Sequence, residues 1–246
     1  MTETKYYFPS RIIEAMGNSF TVKLATKNYD IVAQDIFHQT CYAIEKEIAE
    51  IIDEPYPFRK DSLVADFENS TEINDDVLQS VFAQAKSANK INNKASSEKS
   101  IRNSKFDSLI KSWMVDKIFE SNLRPLLNSS IISGISMNSG GDMKVATRKG
   151  DDFYWEIGIR NPTDSQSMTG YYLKNGSVST SKSNNDSIQQ ATIFSYDLVE
   201  ANIWSNTGVT IGMDRFSRMV WKSKLTGVLF NQTRSIPFRD GILGQA

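Results

Sequence analysis

Apolar residues recur at intervals of three and four along the first half of this chain and at intervals of two along much of the second half. That change of period predicts helices first and strands afterwards. In NYDIVAQDIFHQTCYAIEKEIAEIIDEPYP, Val32, Ile36, Phe37, Cys41, Ile44, Ile48, Ile51 and Ile52 form one stripe, with Asp35, Glu45, Lys46 and Glu50 between them. The spacing predicts a long amphipathic helix that Pro55 and Pro57 close. INDDVLQSVFAQAKSA repeats the pattern through Val77, Leu78, Val81, Phe82 and Ala85, with Asn74 or Asp75 as N-cap. A third helix runs from about Ser104 through Phe106, Leu109, Ile110, Trp113 and Ile118 to the Arg124-Pro125 step. Between the last two, KSANKINNKASSEKSIRNSK has little to bury, and a flexible basic loop is expected over about 86–105.

Strands are read from alternation. Phe20, Val22 and Leu24 alternate with Thr21 and Lys23 after a Gly17-Asn18 turn. In DDFYWEIGIRNP, Phe153, Trp155, Ile157 and Ile159 share one parity, and Asp152, Tyr154, Glu156 and Arg160 the other, as a strand with one buried face requires. MTGYYLKNGSVSTS reads as a hairpin turning at Asn175-Gly176. QQATIFSYDLVEANIW, TGVTIGMD and SRMVWKSKLTGVLFN supply further candidate strands, of which the first and last also fit helices. The fold class expected is α+β, with amphipathic helices of the first half packed on an antiparallel sheet formed mainly by the second. A single domain over 1–246 is expected: a helical part at about 29–124, a β-rich part at about 130–232 and a C-terminal tail at 233–246.

Composition changes this picture little. At 39 % apolar and 11 % aromatic, 246 residues suffice for a sizeable core. Net charge is -1, so no global field draws the protein to nucleic acid or an anionic membrane, although an acidic first third meets a basic middle. One cysteine, Cys41, rules out an intramolecular disulfide and fits a reducing compartment. No secretory signal and no membrane-spanning run is legible at the start or elsewhere, and a soluble protein is expected.

Catalytic vocabulary is sparse. His38 is the only histidine, which excludes a centre with two imidazoles, and Cys41 beside it lies on the apolar stripe of its helix, as a buried core cysteine does. Neither Gly140-Gly141 nor Gly158 opens a phosphate loop. Asp142, Asp151, Asp152 and Glu156 mimic a metal-dependent nuclease cluster, but Gly158 stands where such a site wants lysine, and a solvated sheet face is the plainer account. The basic loop has no aromatic residue for a base to stack on, and Trp113, Trp155, Trp204 and Trp221 all fall in amphipathic segments, as core or interface residues do.

Two short elements carry a resemblance. NLRPLLNSSI holds Leu123, Arg124, Ser130 and Ile131 ahead of the sheet, and RSIPFRDGIL holds Arg234, Pro237, Phe238 and Ile242 near the end. In this order the chain resembles the tail-completion and head-tail joining (neck) proteins of long-tailed bacteriophages, whose C-terminal element precedes a short helix. Two residues more than usual separate the parts of the first element, Ser121-Asn122 replaces a customary glycine, and residues 54–105 have no counterpart.

The resemblance implies a non-enzymatic virion component that closes a tail or neck by ring assembly, found in the virion and, during assembly, in the host cytoplasm. Its partners would be identical subunits and neighbouring neck or tail proteins, with no cofactor, no metal, no membrane and no sequence-specific nucleic acid. Arg234, Pro237, Phe238, Arg239 and Ile242 would form the subunit interface, with Phe238 as apolar anchor and the arginines paired to acidic residues of the next copy; the other reading is that Phe238 folds back on its own sheet. Alternatives are a β-rich pore-forming toxin, from the Ser/Thr-rich strands around 175–197, and a metal-dependent nuclease using Asp142, Asp152 and Glu156.

Overall fold

The computed structural model describes residues 5–15, 17–53, 99–164, 166–184 and 187–244. The helix expected at 74–85 and the loop over 86–98 lie outside the described residues. The fold is α+β, as the change of hydrophobic period implies.

Strands β1 (Ser10–Ala15) and β2 (Asn18–Thr26) form a hairpin through Gly17, whose φ of 68° suits a residue without a Cβ. Helix α1 (Ile31–Asp53) follows, with Asp30 accepting from the Ala33 N–H at its start. Its buried stripe is Ala33, Phe37, Cys41, Ile44, Ile48 and Ile51, while Val32 is exposed. Helix α2 (Lys99–Ile118) begins inside the span expected to be a loop, so 99–105 are helical. It widens into a π turn at Phe119–Leu123 and then tightens into a 3-10 turn at Arg124–Asn128, where Pro125 sits in the first turn.

The strands β3 (Ile132–Ser139), β4 (Asp142–Thr147), β5 (Trp155–Arg160), β6 (Met168–Leu173), β7 (Asn175–Lys182) and β8 (Gln190–Ser195) come next. Helices α3 (Leu198–Ile211) and α4 (Met213–Lys222) precede β9 (Thr226–Phe230), β10 (Ser235–Arg239) and β11 (Ile242–Leu243). Nine strands pair antiparallel in the order β1-β2-β3-β4-β7-β8-β9-β10-β11, and β5 and β6 pair separately.

Parity fixes three layers. On one face Phe20, Val22, Leu24 and Ile135 meet α1 and α2, and farther along Ala191, Ile193, Leu229 and Phe238 meet α3 and α4. The opposite face presents Ala25, Val145, Val178, Val228 and Phe230 to the β5–β6 hairpin, which covers it with Trp155, Ile157 and Ile159. The strict alternation of β5 comes from that position, since its other face is exposed.

Two local expectations fail for identifiable reasons. Asn175-Gly176 is no hairpin turn: β6 pairs with β5, β7 pairs with β4 and β8, and the chain changes sheets at Lys174. Gly176 does have positive φ (147°), so the turn-like dipeptide serves this change of sheets instead. TGVTIGMD is helical up to Ile211, because Asp197 caps α3 by accepting from the Glu200 N–H, and Ala201, Val209 and Gly208 are buried against the sheet. Tertiary packing there outweighs the β preference of Val and Thr.

Candidate active site

The sheet's helix-facing surface carries something a purely structural core does not need. Where β4 starts, Asp142 is buried, and its carboxylate accepts from side chains of three other elements. Ser112 of α2 donates at 3.1 Å, Ser179 of β7 donates, and the Asn202 amide of α3 lies 3.2 Å from Oδ2 and 3.4 Å from Oδ1. Lys111 of α2 supplies the opposite charge at 3.1 Å, with 18 % of its side chain exposed.

The network extends outward. Ser205 of α3 shares hydrogen bonds with Ser179 at 3.0 Å and Ser181 at 2.8 Å, Asn202 donates to Ser108 at 2.8 Å, and Asn206 donates to the Asn202 side-chain oxygen at 2.9 Å. Ser112, Ser179, Ser205 and Asn202 are buried, whereas Lys111, Ser181 and Asn206 are partly exposed and Gly140 and Gly141 lie at the surface, so the network has a mouth at this end of the sheet.

Close approach of backbone shapes that mouth. A Cβ on Gly141 would lie 2.6 Å from the Thr180 carbonyl oxygen, and the Thr180 N–H donates to the Gly141 carbonyl at 2.9 Å. Only glycine lets the β3–β4 turn press on β7 here. A Cβ on Gly140 would stand 3.6 Å from Lys111 Nζ, which places that ammonium over the turn. The assembly thus offers an anchored cation, serine hydroxyls and amides around a buried carboxylate, which can orient and neutralise an anionic ligand.

A second polar group braces the α2–α3 packing. Asp116 accepts from Lys144 and from the Leu198 and Val199 N–H groups at 2.9 and 3.3 Å, closing the N-terminus of α3. Burial pushes the Asp116 carboxyl up, against the pull of Lys144. Lys144 also pairs with Glu120 at 3.2 Å. Hydrogen bonds from Arg124 hold Glu120 below the usual carboxylate range despite its partial burial, which opposes them. On the far side of the sheet, burial would raise Asp151, but Arg148 at 2.8 Å, the Phe153 N–H at 3.2 Å and Lys27 at 3.3 Å outweigh it and hold the carboxyl far below the ordinary range.

The residues singled out from sequence are scattered. Asp142 is buried on the helix side, Asp152 is exposed, and Glu156 is exposed on the outer face of β5, 3.4 Å from the Tyr172 hydroxyl, so the proposed nuclease trio does not assemble. Among the described residues no group of three His, Cys, Asp or Glu is placed to hold a metal ion. The Ser/Thr-rich strands β7 and β8 are interior members of the nine-stranded sheet, paired on both sides, which leaves no free hairpin for a pore. No helix among the described residues is long and apolar enough to cross a membrane. Trp113 and Trp155 are core residues, whereas Trp221 is exposed.

Of the interface candidates, Phe238 points into its own core, edge-on to Phe216 with ring centroids 6.5 Å apart. Arg234, Pro237, Arg239 and Ile242 are exposed. The terminal element is a strand pair, β10–β11, and not the short helix of the phage family. Ser112, Ser179, Asn202 and Ser205 went unread in the sequence, because isolated serines and asparagines on separate elements have no spacing to betray them.

The chain matches no family model and no curated protein by sequence. Its fold does have counterparts. It is similar to flavin transferase ApbE of Vibrio cholerae, at 13 % identity over 98 % of this chain and 97 % of that one, with a TM-score of 0.65. It is likewise similar to the flavinyl transferase ApbE of Pseudomonas stutzeri (14 % identity, 99 % and 95 % coverage, TM-score 0.63). The ApbE protein of Thermotoga maritima is a third (14 % identity, 92 % and 94 % coverage, TM-score 0.61). These whole-chain superpositions overturn the likeness to phage neck proteins, and with it the expected virion location and the expected non-enzymatic, ring-building role. The chain has the fold of the ApbE flavin transferases.

Proposed function

We propose that this protein is a flavin transferase that works at the mouth of the Asp142 network. The observation that carries the reading is the superposition over nearly the full length of enzymes of that activity, with no large part left over on either side. The polar network at one end of the sheet supports it, because a buried carboxylate, a lysine, serine hydroxyls and two adjacent glycines converge there.

A flavin dinucleotide is the substrate that suits this chemistry. An acceptor hydroxyl attacks the phosphorus on the flavin side of the pyrophosphate, a phosphoester joins FMN to the acceptor, the bond to the other phosphate breaks, and AMP leaves with the electron pair. The hydroxyl proton passes to solvent or to a base. Lys111, held over the Gly140-Gly141 turn by Asp142, offsets the charge that builds on the phosphate oxygens. Ser181 and Asn206, partly exposed and tied to the same network, orient the substrate. Asp142 is fully engaged by its donors, so its role is to position Lys111, Ser179 and Asn202. His38 stands exposed on α1 and touches no member of this network, so an imidazole has no part in the reading.

The test is to incubate the purified chain with FAD, with and without a divalent cation, and follow flavin fluorescence and AMP release. Saturable quenching and AMP release that Lys111→Met abolishes support the proposal. Absence of any FAD binding removes it.

A further inference from the structure

We propose that the free edge of β1 joins two copies of this chain about a two-fold axis, so that one antiparallel sheet runs through both. β1 is the end strand of the nine-stranded sheet and pairs on one side only, with β2. Just before it, the Tyr7 N–H donates to the Thr26 carbonyl at 2.8 Å, the Thr26 N–H donates to the Tyr7 carbonyl at 3.1 Å, and the Leu24 N–H donates to the Pro9 carbonyl at 3.1 Å. Bonded pairs alternate along an antiparallel ladder, so Arg11, Ile13 and Ala15 continue the inward set. The N–H and C=O groups of Ser10, Ile12 and Glu14 therefore point outward from the edge.

Natural edges are commonly blunted by a lysine, a proline or a bulge. None of these stands at 10, 12 or 14, and the β1–β2 register is unbroken from Ser10 to Ala15. Side chains of the three residues lie on the sheet face opposite α1, because Ile13 packs into the helix-side core and Arg11 reaches Glu45 of α1 at 2.6 Å. Ile12 is 62 % exposed there, with Ser10 and Glu14 on either side of it along the strand and Thr21 across from it on β2. An exposed isoleucine thus sits at the centre of an unpaired strand, among polar residues.

The side chains select a second copy as the occupant. A two-fold axis perpendicular to the sheet at Ile12 sets Ile12 against the partner's Ile12 and Ser10 against the partner's Glu14. Every outward residue then meets an outward residue and exchanges two main-chain hydrogen bonds with it. The same register matches charges. Lys23 of β2 is flanked within its own sheet by Ser10 and Ser136, neither of them acidic, and Glu14 accepts only the Ser19 hydroxyl, at 2.7 Å. With strands about 4.8 Å apart, the Lys23 backbone lies roughly 10 Å from that of the partner's Glu14, and only the small Ser10 side chain intervenes. A lysine and a glutamate side chain together bridge that span, and the axis repeats the pair. Sliding the partner by two residues either way sets Ile12 against Glu14 or Ser10 and separates Lys23 from the carboxylate. On the helix side, Tyr42 is three residues before Glu45 on α1, on the same side of the helix, and 71 % exposed, so it flanks the junction.

Sedimentation equilibrium of the full chain between about 1 and 200 µM tests this. The mass should rise from that of one chain toward that of two. Ile12→Lys and Glu14→Lys should each weaken association about tenfold or more with the circular dichroism unchanged, and Glu14→Lys combined with Lys23→Glu should restore it to within about threefold of the wild type. Ile12→Cys should form a disulfide-linked dimer on oxidation, because the axis brings that position against itself, while the buried Cys41 stays free. A chain that remains a monomer throughout, an assembly of three or more copies, or a dimer indifferent to Ile12→Lys overturns the edge pairing. Failure of the charge exchange to restore association, or of Ile12→Cys to cross-link, overturns the register.

Discussion

Asn202 of α3 reaches across the helix–sheet boundary to Asp142 of β4, its amide nitrogen 3.2 Å from one carboxylate oxygen and 3.4 Å from the other. Together with Ser112, Ser179 and Lys111 this contact makes the helix layer and the sheet share one charged centre. Asp142→Ala should destabilise the fold by about 3–5 kcal/mol, because it strands the Lys111 charge and three hydrogen-bonding side chains. Chemical denaturation measures it, and a loss below about 1 kcal/mol would mean that the centre contributes little to folding.

Gly141 tests the shape of the mouth independently of its charges. With the Thr180 carbonyl oxygen 2.6 Å from where a Cβ would be, Gly141→Ala should shift the β3–β4 turn and cut flavin transfer at least tenfold, while the melting temperature falls modestly. Transfer at the wild-type rate in this variant would place the chemistry elsewhere.

Trp155 anchors the hairpin layer. It is buried, and its indole N–H donates to the Ala146 carbonyl at 3.2 Å. Trp155→Ala should cost about 3–5 kcal/mol in equilibrium unfolding. Phe238→Ala should cost a similar amount, about 3–4 kcal/mol, because the ring lies inside its own subunit against Phe216.

Acid stability should depend on Asp151. Its carboxyl is held far below the ordinary range, with hydrogen bonds and ion pairs from Arg148 and Lys27 outweighing burial. A depressed carboxylate pKa contributes stability that is present above the unfolded value of about 3.9 and is lost as pH falls toward the folded value. Below pH ~4, therefore, the wild type should lose stability more steeply than Asp151→Asn, and parallel pH curves for the two would contradict the assignment. Asp116 acts in the opposite sense: burial raises its pKa, so its contribution diminishes as pH rises above about 3.9.

Burial also pushes the Cys41 thiol up to about 11. At pH 8 the native protein should therefore resist iodoacetamide and react only on unfolding, which makes thiol labelling a reporter of global opening. Rapid labelling of the native protein would show that α1 opens locally.

Much of the fold was legible where a single element decides its own pattern. Trp155, Ile157 and Ile159 alternate because one face of β5 is covered and the other is wet, and Cys41 lies on a stripe that α1 buries. Legibility stopped where partners come from afar. Asp142 was visible only as a member of a carboxylate trio, because its actual partners are 30, 37 and 60 positions away along the chain. Asn175-Gly176 looked like a hairpin turn because the same backbone freedom serves a strand that changes sheets. In the terminal Arg234-to-Ile242 stretch, alternation along β10 sets Phe238 inside its own subunit and Arg239 outside, a packing choice that the sequence left open.

The most direct measurement is AMP release from FAD by the purified protein, compared with that of Lys111→Met at matched folded concentration. The account expects release by the wild type and at least a hundredfold loss in the variant, roughly 2.7 kcal/mol of transition-state stabilisation. Equal release by both proteins, or FAD left unbound and intact by the wild type, would contradict it.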